Sequence, residues 1–91
     1  MTVKPVGRRK GTHTMNLPII DMKQTGQNIT QLRRQRGITV KQLQTLMGFA
    51  TPQTIYKWQH GESLPTVDNL VALSAIFSVP IDAILITNCA A

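Results

Sequence analysis

TVKQLQTLMGFATPQTIYKWQHG, residues Thr39–Gly61, decides the fold. Its first nine residues have the marks of one short helix. Thr39 with Gln42 three residues on is a capping box, in which the hydroxyl takes the Gln42 N–H and the Gln42 carboxamide reaches back to the Thr39 N–H. Val40, Leu43 and Met47, with Leu46 beside them, make an i, i+3, i+7 apolar stripe, and Gly48 closes the element. Phe49-Ala50 then leads to Thr51, which reads as the cap of a second helix, with Pro52 at the first helical position, where a missing N–H costs nothing. Gly61 stops that helix. At about 100° per residue, Ile55 and Trp58 fall on one side, and Gln53, Tyr56, Lys57 and His60 on the other. The first pair is an anchor whose burial stabilises by about 2–3 kcal/mol per side chain. The second set has no acid in it.

Outward from this stretch the pattern stays helical. On the N-terminal side, Thr25 reads as the cap of a helix running to about Arg36, with Ile29, Leu32 and the stem of Arg33 on one face and Gly37 after it. On the C-terminal side, Thr66 caps a helix bearing Leu70, Leu73 and Phe77, and Pro80 opens a short last one with Ile81, Ile84 and Leu85. The expectation is an all-α domain of five helices at about 25–36, 39–47, 51–60, 66–77 and 80–86, with no strand pair. A flexible basic arm at 1–14, an extended lead-in at 15–24 around Leu17, Ile19 and Ile20, and a tail at 87–91 complete the chain.

Ninety-one residues leave room for one domain, and 42% hydrophobic content suffices for a core. A single cysteine, Cys89, excludes an intrachain disulfide or thiolate metal site and suits a cytoplasmic protein. No apolar run reaches membrane-spanning length, and no apolar segment follows the basic N-terminal residues as in a secretory signal. His13 and His60 have no carboxylate or cysteine in register, so no metal or cofactor is expected. There is no nucleophile–base set, no paired carboxylate and no phosphate-binding glycine loop, so no catalysis is expected either. The net charge is +6, and its placement says more than its size. Lys4, Arg8, Arg9 and Lys10 crowd the arm, and Lys23, Arg33, Arg34, Arg36, Lys41 and Lys57 follow with no acid between Asp21 and Glu62. A polyanion can lie along that segment without meeting like charge.

Two short helices joined through Gly48-Phe49-Ala50-Thr51 form a helix-turn-helix, and the glutamine, lysine, tyrosine and histidine of the second offer the donors and acceptors that base edges and phosphates take. From Gln27 to Leu85 the chain resembles the lambda-repressor-like, or Cro/C1, helix-turn-helix domain. The resemblance rests on Leu32-Arg33, Thr39…Leu43…Gly48, Ile55-x-x-Trp58-x-x-Gly61 and Leu64-Pro65. It implies a bacterial transcriptional regulator, a repressor that puts the helix 51–60 into the major groove of double-stranded DNA. Gln53 and Lys57 then face bases, with Tyr56 flanking them. Thr51, Pro52 and Thr54 lie nearest the backbone, and the loop from His60 to Ser63 touches phosphate. Arg33, Arg34, Arg36 and Asn28 of the first helix are further phosphate candidates, each with a solvated or structural alternative. One module is a small interface, so a homodimer on a palindrome is expected, with half-sites one helical turn apart. Ile81, Ile84, Leu85 and Ile86 either meet the partner subunit or complete the core. An antitoxin-type regulator that also binds a partner protein, or an interaction domain without DNA binding, are the alternative readings.

Three positions and one spacing depart from that family's pattern. Gln44 stands where a small alanine is usual, Val40 where a polar residue is usual, and the interval from Gly48 to Ile55 is one residue longer. Gln59 replaces a glutamate that commonly pairs with the first-helix arginine, matched here by Arg33. The resemblance therefore implies an Arg33 less neutralised than is usual.

Overall fold

The computed structural model describes residues 17–89; the basic arm 1–14 and the last two residues of the tail lie outside them. The chain runs β1 (Pro18–Ile20), α1 (Met22–Gln35), α2 (Val40–Met47), α3 (Gln53–Gln59) and α4 (Val67–Phe77). A single 3-10 turn (Ile81–Ala83) and β2 (Thr87–Cys89) follow.

The capping signals explain where most of these elements begin. At α2 both bonds of the capping box form, Gln42 N–H to Thr39 Oγ1 at 3.0 Å and Thr39 N–H to Gln42 Oε1 at 2.9 Å. At α4 the Thr66 hydroxyl accepts the Asn69 N–H. At α1 the sequence reading is corrected, because the helix starts at Met22 and its cap is Asp21, whose carboxylate accepts the Gln24 N–H at 2.9 Å. That bond holds the Asp21 carboxyl below the usual carboxylate range. Thr25, read as the cap, is fully buried inside the helix. Its hydroxyl instead accepts the Ile86 N–H at 2.9 Å.

The C-terminal end is corrected for the same reason. The backbone of Ile86 is engaged by Thr25 and by the Asp21 N–H (2.8 Å), so the chain after Ala83 cannot continue as a helix. The expected fifth helix is the 3-10 turn alone. The chain then pairs antiparallel with β1, Ile19 opposite Asn88. The Asn88 side chain donates to Asp21 Oδ2 at 2.7 Å, and Asn28 donates to the carbonyls of Ala83 and Ile84 at 2.8 and 3.0 Å. Three-residue strands stapled by these bonds tie the two ends of the described chain together.

The core is one cluster of Ile29, Leu43, Ile55, Trp58, Leu70, Leu73, Phe77 and Ile84. Each helix contributes, which is what gives short helices their stability. Ile84 is fully buried, so this residue completes the core, while Ile81, Leu85 and Ile86 are half-buried.

Gly26 sets how close α3 comes. A Cβ there would clash with the Trp58 carbonyl oxygen and stand 2.8 Å from that of Gln59. Two consecutive carbonyls at the end of α3 thus rest on the bare backbone of α1.

Candidate nucleic-acid interface

α3 is held by its inner face and by both of its ends. Ile55 is fully buried and Trp58 nearly so, with the Trp58 ring meeting Phe49 edge-on at a centroid distance of 5.7 Å. At the C-terminal end Gly61 takes φ +75°, and a Cβ there would stand 2.9 Å from the Lys23 Cα, so both its backbone and its surroundings require glycine. At the other end the expected cap is shifted by one residue. Pro52 occupies the cap position, α3 starts at Gln53, and Thr51 Oγ1 accepts the Gln53 N–H at a long 3.4 Å.

The outer face is the one the helical spacing predicts. Gln53, Thr54, Tyr56, Lys57 and His60 are exposed, Thr51 is exposed beside them, and Pro52 and Ser63 are half-buried. Tyr56 and His60, one turn apart, stack nearly parallel with centroids 6.3 Å apart. Two rings that brace each other lose little further freedom on meeting a ligand. A carboxylate closes the far edge of the face, with Glu62 Oε2 3.7 Å from His60 Nδ1.

The first-helix candidates divide. Arg34 is exposed and its guanidinium is available. Arg36 is exposed too, but its Nε donates to the Phe77 carbonyl at 2.7 Å, so it closes the C-terminal end of α4. Asn28 is engaged with Ala83 and Ile84 as described. Arg33 is 8% exposed; its Nε donates to Gln59 Oε1 at 3.1 Å and one terminal nitrogen to the Ile38 carbonyl at 2.9 Å. Burial lowers its pKa and nearby Arg34 adds to the effect, yet a guanidinium stays charged at neutral pH. Arg33 is therefore a strut between α1, the α1–α2 turn and α3, and neither it nor Asn28 is free to ligate phosphate.

Two residues went unassigned in the sequence. Lys41, exposed in the first turn of α2, lines a cleft of about 310 Å³ with Thr51, Pro52 and Tyr56. Its signal was a cation between the two members of the capping box, Thr39 and Gln42. Gln44, buried, lines the same cleft from below. Among the described residues no cluster of three or more His, Cys, Asp or Glu could hold a metal ion. No described helix is long and apolar enough to cross a membrane.

Two helices meeting through a short turn, the second one anchored inward and polar outward, define a helix-turn-helix domain. The HTH_3 helix-turn-helix model matches residues 29–84, and the chain belongs to that Cro/C1-type family. No curated protein sequence matches it. Solved structures share the fold at low identity. The restriction-modification controller protein C.AhdI from Aeromonas hydrophila superposes with a TM-score of 0.63 at 19% identity, covering 70% of this chain and 96% of that one. The S. venezulae BldD DNA-binding domain gives 0.62 at 21%, covering 72% and 97%. Apo-HppE gives 0.65 at 22%, covering 72% of this chain but 36% of that one.

Proposed function

We propose that this protein is a sequence-specific DNA-binding transcriptional regulator, a repressor that inserts α3 into the major groove. The observation that carries the reading is the exposed, acid-free face of Gln53, Tyr56 and Lys57 on a helix whose opposite side is locked into the core. Gln53 presents a carboxamide that pairs bidentately with adenine N6 and N7, and Lys57 donates to guanine O6 and N7. Tyr56 flanks them. Thr51, Pro52, Thr54, Lys41, Arg34, His60 and Ser63 supply the backbone contacts that position without reading. A homodimer on a palindromic site, its half-sites about one helical turn apart, gives two such small modules the affinity that one lacks.

Gln53→Ala tests the reader. It should cost about 1–3 kcal/mol on the preferred sequence and relax preference at one base pair, with random DNA bound as before. Competition binding against sites varied one position at a time measures it. Equal losses on preferred and random DNA would remove Gln53 from the reading set.

Gln59 adjusts the background. Its neutral carboxamide leaves the buried Arg33 charge without an anion at the edge of the interface. Gln59→Glu supplies one, and should weaken binding to random DNA roughly threefold at low salt, a difference that shrinks as salt screens it. Anisotropy titrations at two ionic strengths decide; unchanged affinity at both would contradict the assignment.

A further inference from the structure

The turn between α2 and α3 runs from Gly48 to Pro52 and has few ties of its own. Gly48 N–H closes back on Thr45 at 3.1 Å and Phe49 N–H on the Gln44 carbonyl at 3.0 Å. Beyond Phe49 the turn holds α3 through the Tyr56 N–H on the Pro52 carbonyl (3.1 Å) and the long Thr51 contact. The start of α3 has no side-chain cap of its own.

Gln44 fills this gap. It lies inside α2, 9% exposed, and its Nε2 donates to the Phe49 carbonyl at 3.2 Å. Backbone and side chain of Gln44 therefore grip both the N–H and the carbonyl of Phe49. Among the described residues it is the one side chain from outside the turn that hydrogen-bonds to the turn's backbone. Phe49 in turn meets the Trp58 ring, which seats α3 in the core. A buried carboxamide is costly unless bonded, and the partly buried Phe49 carbonyl is the acceptor within its reach. The bonded arrangement is therefore favoured, and it restrains the turn at Phe49, before the chain enters α3 at Gln53.

From this we infer that Gln44 is a positioning residue for sequence discrimination: it fixes the angle at which α3 presents Gln53 and Lys57, while touching no DNA itself. Phosphate contacts tolerate small displacements because a cation acts over distance, whereas a bidentate base pair does not. Losing the tether should therefore lower discrimination and leave general affinity in place. The inference rests on the proposed DNA-reading role, but its structural half can be measured without DNA.

Gln44→Met keeps the length of the side chain and removes the donor; Gln44→Ala removes the side chain beyond Cβ. For both variants, affinity for a preferred site over random DNA should fall about tenfold, the effect of one hydrogen bond, with random-DNA affinity within about twofold of the parent. Amide hydrogen exchange on the free proteins should quicken at Phe49 and Tyr56 relative to α4. An unchanged affinity ratio with unchanged exchange overturns the inference. So does a parallel loss on both DNAs with faster exchange throughout, which would mark Gln44 as ordinary core. If the parent chain prefers no DNA sequence, the proposed function fails, and exchange at Phe49 and Tyr56 still decides whether Gln44 tethers the turn.

Discussion

Trp58→Ala is expected to remove about 3–5 kcal/mol of folding stability, a large share of the total for a domain of this size. The indole is 2% exposed and belongs to one core cluster with Ile29, Leu43 and Ile55. No other side chain of α3 but Ile55 is fully buried, so the cavity opens under α3 itself. With seven residues α3 has too few turns to hold its shape alone. Urea unfolding followed by circular dichroism should show a midpoint far below that of the parent. A loss under about 1 kcal/mol would mean that Trp58 is not the anchor.

Gly26→Ala should destabilise by about 2–3 kcal/mol, lowering the melting temperature by roughly 10 °C or more. The sign is the informative part. Inside an ordinary helix this change stabilises by up to about 1 kcal/mol. Here the new methyl would meet the Trp58 and Gln59 carbonyls, and these are backbone atoms that no rotamer change can move aside. α3 must back away from α1, loosening the Arg33 to Gln59 bond across the same seam. Thermal unfolding of the variant measures it. A rise in melting temperature would show that the seam has slack.

Neither glycine-to-carbonyl packing nor the terminal ribbon was legible in the sequence, and both failures have one cause. Periodicity and capping are local, so Thr39 with Gln42, the Thr66 cap and the two-faced third helix could be read directly. Asp21 and Thr25 compete as caps four residues apart. What decides between them is Ile86, a residue from the far end of the chain that takes the Thr25 hydroxyl. Pro80 likewise reads as a helix start until the same Ile86 backbone is drawn into bonding with Asp21 and Thr25. The strands are three residues long, one containing proline, and each is defined only by its distant partner.

The candidate interface divides along the same line. Gln53, Tyr56 and Lys57 follow from spacing alone, since an anchored helix must turn its other side outward. Arg33, Arg36 and Asn28 looked equally available as polar residues on a basic helix. Their engagement with Gln59, Phe77 and the Ala83–Ile84 backbone depends on contacts across the fold. Of the first-helix candidates Arg34 keeps a wholly unengaged guanidinium on the surface, while the exposed Arg36 is tied through its Nε alone.

The proposed reading of DNA by α3 has a selectable consequence. Selecting bound duplexes from a random pool with the intact chain, then titrating salt on the enriched sequence, tests it most directly. The expected result is an enriched two-fold-symmetric motif and a log K that falls linearly with log salt, its slope set by the phosphate contacts. A pool without enrichment, together with binding indifferent to salt, would contradict it.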